Sequence, residues 1–302
     1  MESSLVNPPV PVSIFDRISG YIALTKPRII ELLLVTTIPP MIVAAGKFPS
    51  VGLILATVIG GTLAAGGASA VNMYVDRDID RIMKRTQNRP LVTGVISPSS
   101  ALVFAIALEI FAFIELWVLV NPLSALLTLS GALFYIFIYT LWLKRISKQN
   151  IVIGGAAGAV PVLVGWTAVT DHLSLTAWIL FVIVFVWTPP HFWALAFKYK
   201  DDYSEANVPM LPSVVSFDKT VQQIILYTFI LVGLSLVLAP VAGLGIIYTV
   251  SAILLGLVFI FYTFKLRKLQ TSKAAMHVFA YSISYITLLF SAMAIDVLVG
   301  HL

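Results

Sequence analysis

Asn72, Asp76 and Asp80 stand four residues apart, where the apolar run "ATVIGGTLAAGGASA" (56–70) gives way to "VNMYVDRDID" (71–80). If the helix continues to residue 80, these three side chains fall within about 80° of one another over roughly 12 Å of rise, and Asp78 points far from them. Three oxygen donors on one stripe can hold a hard divalent cation. A second mixture of acids and bases follows at "KYKDDYSEANVPMLP" (198–212), with Lys198, Lys200, Asp201, Asp202 and Glu205. Two such clusters facing one cavity are what a polyphosphate–Mg²⁺ site requires. Carboxylates hold the metal by one or two contacts each, phosphate oxygens complete its octahedron, and Lys and Arg neutralise a departing anion. The bland alternative is a solvated helix end whose acids pair with Arg77, Arg81, Lys84 and Arg85 at i,i+4 spacing. Against it, Asn72 and Asp76 lie deep enough to be partly in a membrane, where polar groups are costly and mark function.

The elements that must position these groups are membrane helices. The chain has 302 residues, 59% hydrophobic and 11% charged, with mean hydropathy +0.99. Soluble domains carry about 25% charged residues, so nearly the whole chain belongs in a bilayer as a single transmembrane domain (1–302). Cysteine is absent, which excludes disulfides, thiolate catalysis, iron–sulfur clusters and Cys-ligated haem. The polar, proline-bearing N-terminus does not read as a signal peptide, and no lipidation motif is present. Apolar runs of about 20 residues predict an all-α bundle of nine transmembrane helices, at roughly 29–46, 51–74, 99–119, 122–143, 151–169, 175–197, 221–242, 244–264 and 276–299. Residues 1–24 are a tail ending in an interfacial helix, since "SIFDRISGYIAL" (13–24) alternates apolar and polar residues at helical spacing. With the N-terminus inside, 18 of the 19 Lys and Arg lie on the inner side and only Lys47 lies outside. That asymmetry predicts a cytoplasmic N-terminus and an outer C-terminus. It also accounts for the net charge of +5 without a nucleic-acid partner. Gly60, Gly61, Gly66 and Gly67 in the second span, and Gly154, Gly155 and Gly158 in the fifth, read first as close helix contacts and second as room for a large flat ligand.

N-x-x-x-D-x-x-x-D at the inner end of the second of nine spans, with an acidic motif after the sixth, resembles the UbiA superfamily of intramembrane prenyltransferases. Within it the chain is more similar to the haem O synthase branch. The matching stretches are "LTKPRI" (24–29), "NMYVDRDIDRIMKRTQNRPLVTG" (72–94), "YTLWLKRISKQNIVIGGAAGAVPVLVGW" (139–166), "WTPPHFWALAFKYKDDYSEANVPMLP" (187–212) and "SISYITLLF" (282–290). They cover nearly the whole chain. One departure stands out: Lys198 occupies the place, four before Asp202, where the wider superfamily has an aspartate.

The resemblance implies Mg²⁺-dependent transfer of a farnesyl group from farnesyl diphosphate to a vinyl group of haem B, with water adding, in a bacterial-type plasma membrane. Haem is then a substrate, not a cofactor, and downstream haem A synthase or oxidase assembly factors are the partners such a product implies. Asn72, Asp76, Asp80 and Asp202 become the metal ligands, with Asp201 beside them. Lys26, Arg77, Arg81, Arg85, Arg89, Lys144, Arg145 and Lys198 become diphosphate contacts, each with the alternative of a plain inside-positive anchor. His191, in the sixth span after a double proline, is a candidate for axial haem ligation or substrate orientation, against a structural role. His277 is a weaker candidate, and His172 and His301 sit near the outer surface. Trp166, Trp187, Phe192 and Trp193 could line the pocket, although aromatic residues in membrane helices are more often packing or interface anchors. Asp296 reads as a local hydrogen-bonding group, Glu31 as a partner of Arg28, and Glu109 and Glu115 are buried acids without an evident role. A UbiA-type enzyme with another acceptor, such as an aromatic acid, and a transporter are the competing readings. A transporter places its polar groups at the bilayer midplane, whereas these acids gather at one face.

Overall fold

The computed structural model describes residues 13–300, without the side chains of residues 29–31, 33 and 34. Glu31 and His301 therefore lie outside what is described, as does the tail before residue 13. Among the described residues all regular structure is helical. In chain order the elements are α1 (Ile14–Leu24), α2 (Pro27–Ala45), α3 (Val51–Val75), α4 (Arg77–Ile82), α5 (Pro90–Thr93), α6 (Pro98–Leu119), α7 (Pro122–Ile146), α8 (Asn150–Thr170), α9 (Leu175–Lys198), α10 (Lys200–Glu205), α11 (Leu211–Val214), α12 (Phe217–Val241), α13 (Ile246–Leu269) and α14 (Ser272–Gly300).

The nine expected spans each coincide with a helix, but only eight are long and apolar enough to cross a membrane among the described residues. The first expected span falls on α2, whose described apolar part is Val35–Ala45. Local chemistry sets the starts. Ser50, Ser97, Asn121, Ser174 and Ser216 each accept the N–H three residues on, at the heads of α3, α6, α7, α9 and α12. That satisfies backbone donors which would otherwise be orphaned at a helix end. α1 carries a reciprocal Ser13–Asp16 capping box and leaves Ile14, Phe15, Ile18 and Ile22 exposed, as a helix lying on a membrane surface does.

α8 and α9 form the centre. About two-thirds of the most apolar stretch of α9 is buried (67%), against 17% for the peripheral α6. α9 packs on α8, α12 and α14, α2 bridges α8 and α14, and α3 packs on α6. Lipid-facing side chains such as Ile110, Phe111 and Ile114 on α6 and Leu254, Leu257 and Phe261 on α13 remain exposed. Since lipid is as apolar as leucine, close backbone approach must hold the bundle instead. Gly165 shows how close: a Cβ there would run into the Thr37 carbonyl oxygen of α2. Replacing Gly165 by Ala is expected to cost about 1–3 kcal/mol, read as a fall of several degrees in the thermal unfolding midpoint of the protein in detergent. An unchanged midpoint would show that α2 and α8 can separate freely.

The two glycine clusters divide between the expected roles. Gly60 and Gly67 make room for the carboxyl groups of Glu115 and Glu109 on α6, and Gly154 for the Tyr139 ring. Gly61 on α3 and Gly158 on α8 have open space where a Cβ would sit, and both line the central cavity. Asp296 caps the start of α13, accepting the N–H groups of Gly245 and of Tyr248 (3.1 Å); its expected local role is what the geometry shows.

A candidate anion site at one mouth of the bundle

The helix carrying the acid stripe does not run unbroken to residue 80. α3 ends at Val75, Asp76 is its C-terminal cap with φ −85° and ψ 5°, and α4 begins at Arg77. The stripe survives because backbone hydrogen bonds cross the break: Asp76 N–H to Asn72 O (2.9 Å) and Asp80 N–H to Asp76 O (2.8 Å). Asn72, Asp76 and Asp80 are all buried, at 3%, 0% and 2% exposure. Asp78, with its side chain 60% exposed, faces out as expected. Arg145 Nη1 and Nη2 hold it in a fork at 2.8 Å each, which pulls its carboxyl down from the ordinary range to about 2. An exposed pair contributes only about 0–1 kcal/mol. Asp78→Ala is therefore expected to leave turnover near the parent value in a steady-state assay, and a collapse of turnover would place Asp78 in the site after all.

Three cations converge on the buried stripe. Lys26 Nζ donates to Asn72 Oδ1 (2.8 Å), Lys144 Nζ to Asp76 Oδ2, and Arg89 Nη1 to Asp80 Oδ2 (2.6 Å). Asn72 Nδ2 donates in turn to Asp76 Oδ2 (2.7 Å) and Thr140 Oγ1 (3.2 Å). Burial, with Arg89 and Lys144 nearby, lowers the Lys26 ammonium to about 7. A buried ammonium crowded by two further cations marks a site that an anion relieves.

Above this mouth lies a cavity of about 400 Å³ bounded by α2, α3, α7, α8 and α9. Lys26, Asn72, Asp80, Arg85, Arg89 and Lys144 line its polar end, and Gly61, Ala65, Ala68, Gly158, Val164 and Val184 lie along its walls. Charge at one end and apolar walls beyond fit an amphiphile with an anionic head.

Several expected contacts lie elsewhere. Arg145 is spent on Asp78 and the Val75 carbonyl (3.2 Å). Arg77 bonds the Tyr74 carbonyl (2.6 Å) and covers that ring. Arg81 is exposed and does not line the cavity. Lys198 and Asp201 are also exposed, with Lys198 over the Tyr199 ring at 5.5 Å. Asp202 accepts the Arg85 backbone N–H at 3.4 Å but does not reach the lining. α10 turns its acids outward and closes the cavity with Tyr203 instead, with Met210 from the following segment; burial pushes the Tyr203 hydroxyl pKa up. Of the four aromatic candidates, Trp187 and Phe192 line the cavity. Trp193 packs edge-on against Tyr227 at 5.5 Å, and Trp166 is buried away from it. His191 stands just behind the lining, stacked on Trp187. His172 is exposed and bonds the Thr170 carbonyl (2.8 Å), at the end of α8 away from the polar site, and His277 is exposed. Tyr135 and Tyr139, stacked at 5.3 Å, line the cavity without having been singled out. They lie in a π-helical stretch, Phe134–Leu143, whose altered period hides which face a side chain takes.

Asp76 Oδ1 fits a divalent cation: it is buried and takes no hydrogen bond, and the Arg145 guanidinium stands off at 3.8 Å. An amide and two carboxylates are oxygen donors of the kind Mg²⁺ takes. Among the described residues no three His, Asp or Glu gather around one point, so an ion here would draw its other ligands from phosphate and water.

The model of the UbiA prenyltransferase family matches residues 33–289. The chain belongs to the UbiA prenyltransferase family. Within that family, it is 52% identical over 288 residues to a protoheme IX farnesyltransferase of Clavibacter sepedonicus, covering 94% of each chain. It is 50% identical over 299 residues to one from Renibacterium salmoninarum, covering 97% of this chain and 94% of that one. Among solved UbiA-type folds, a digeranylgeranylglyceryl phosphate synthase superposes with TM-score 0.76 at 18% identity, covering 93% of this chain and 98% of that one. A UbiA homologue from Archaeoglobus fulgidus bound to DMAPP and Mg²⁺ superposes with TM-score 0.65 at 17% identity, covering 90% and 99%. The chain is thus a multi-pass membrane enzyme of the prenyltransferase class, with its polar site where α3 of the UbiA fold ends.

Proposed function

We propose that this chain transfers the farnesyl group of farnesyl diphosphate to a vinyl group of protohaem IX, adding water and releasing diphosphate. The observation that carries the reading is the buried Asn72–Asp76–Asp80 stripe, ringed by Lys26, Arg89 and Lys144 at the mouth of an apolar cavity. The acceptor comes from the named activity of relatives sharing about half of their residues with this chain.

Lys26, Arg89 and Lys144, with Arg85 at the rim, hold the diphosphate and take up the charge that develops as the C–O bond breaks. Asn72, Asp76 and Asp80 would hold Mg²⁺, which when bound withdraws electron density from the leaving oxygens. The bonding pair leaves with the diphosphate, and the allylic cation stays in a cavity walled by Tyr135, Tyr139 and Trp187. Those rings steady it and keep water away. The vinyl π pair forms the new C–C bond, and the cation it leaves next to the macrocycle takes a water oxygen. The water proton passes to the diphosphate. In this reading the basic segments 75–98, 144–150, 198–220 and 265–275 face the cytoplasm of a plasma membrane, which the Lys and Arg distribution supports.

The test offers purified protein farnesyl diphosphate and Mg²⁺ with haem or 4-hydroxybenzoate as acceptor and follows prenylated product by mass. Product on haem is expected. Product on 4-hydroxybenzoate alone would overturn the proposed acceptor while leaving the prenyltransferase class intact.

A further inference from the structure

Asn72 Nδ2 donates to Thr140 Oγ1 at 3.2 Å and so fixes where α3 meets α7. Both helices run toward the polar mouth, so the residues preceding this pair lie on its apolar side. Ser69 stands one turn before Asn72, about 4.5 Å along the axis, and Tyr135 stands one π-helical turn before Thr140. Both line the cavity. Ala68, Ala132 and Ile136 pack together with Tyr135 against them, so Ser69 and Tyr135 share a level. Tyr139, one residue from Thr140, belongs to the level of the anion instead.

Ser69 is 6% exposed. Its hydroxyl bonds no other described residue, and it is not sealed from the cavity that its side chain lines. A hydroxyl inside an apolar helix can satisfy itself on the carbonyl one turn back. Thr57, Thr128 and Thr188, on the same cavity, do so at 2.8, 2.8 and 3.0 Å. Ser69 does not, and the Tyr135 hydroxyl likewise bonds no described residue. Two hydroxyls thus face one space between apolar walls, where an unmet polar group is costly. A water held inside a protein needs two or more polar partners, and this level offers them.

With the diphosphate on Lys26, Arg89 and Lys144, its carbon chain enters the cavity at the level of Asn72, and the carbon that is attacked lies within the next turn. We propose that Ser69 and Tyr135 form the subsite for the water that the reaction consumes. This rests on the haem reading above. Their hydroxyls aim the water oxygen at the cationic carbon next to the macrocycle. A lone pair of that oxygen forms the C–O bond, the oxonium passes one proton to Ser69 Oγ, and Ser69 gives its own proton to a diphosphate oxygen. Where no water is held, the same cation loses a proton from the neighbouring carbon to the diphosphate. The C–H pair then becomes a double bond, and the product is an alkene one water lighter.

The full-length protein in lipid nanodiscs, given farnesyl diphosphate, Mg²⁺ and haem, tests this through the ratio of hydroxylated to alkene haem in the product masses. Ser69→Ala and Tyr135→Phe each remove one hydroxyl and little else. Each is expected to lower the ratio by about tenfold, the size of one hydrogen bond, and Ser69→Thr to keep it. Thr62→Val removes a cavity hydroxyl about 10 Å farther along α3 and is expected to leave the ratio at the parent value. A merely structural role would lower total product and leave the ratio alone. A parent-like ratio or no product at all in either Ser69→Ala or Tyr135→Phe, or an equal fall in Thr62→Val, would overturn the subsite. Parent protein that prenylates no haem would overturn the haem reading and the proposal with it.

Discussion

Asp76→Asn lowers turnover of farnesyl diphosphate by about 10²–10³-fold, the usual cost of removing one preorganised charge from a reacting site, and raises its KM far less. Asp76 is fully buried, and one of its oxygens already serves Lys144 and Asn72. The other, Oδ1, has no hydrogen-bond partner and is the atom free to meet a cation. The amide keeps the volume and removes the charge, so the three surrounding cations still attract diphosphate. It also strands Lys144, and breaking a buried pair from one side destabilises a protein, whereas removing both charges is often neutral. The double change Asp76→Asn/Lys144→Met is therefore expected to regain the thermal midpoint that the single change loses, without regaining turnover. Full turnover in the single variant, measured under saturating Mg²⁺, would mean that the stripe is a structural cluster.

The second large effect belongs to the apolar end. Gly158→Phe lowers kcat/KM for haem by about 10²-fold, since displacing a reactant by about 1 Å already costs that much. A Cβ at Gly158 meets nothing within 4 Å, and the same holds for Gly61 on α3; the ring would grow into the cavity rather than against a helix. Gly158→Ala is expected to be nearly silent. Binding of inorganic diphosphate, measured by calorimetry, is expected to be unchanged in both, because the polar mouth is built from other residues. Retained activity in Gly158→Phe would show that this part of the cavity holds neither substrate.

The acid stripe was legible because its spacing of four is the one signal that survives a uniformly apolar helix. Its short break at Asp76 preserved the register through backbone bonds. The spans were legible for the same reason that their faces were not: hydropathy marks length, but in lipid it does not distinguish inner from outer side chains. Tyr135 and Tyr139 escaped notice on that ground, and the π-helical stretch they occupy shifts the period as well. Nor does composition say which of many bases turns inward. Lys26 reaches the Asn72 amide oxygen and Arg89 and Lys144 reach the carboxylates, whereas Arg145 and Arg77 are held by Asp78 and Tyr74. The motif after the sixth span was visible as charge, yet its acids face out or bond backbone, and Tyr203 and Met210 form that wall. Only the path of the chain around α10 decides this.

In the proposed reaction a cation generated at the polar mouth alkylates a haem vinyl group in a dry cavity, and water then closes the cation that this leaves. Running the reaction of purified protein, haem and farnesyl diphosphate in H₂¹⁸O, and weighing the haem product, tests this most directly. The expected product is a haem heavier by one farnesyl group and one hydroxyl, the hydroxyl oxygen carrying the label. Haem of unchanged mass, or a farnesylated haem without labelled oxygen, would contradict it.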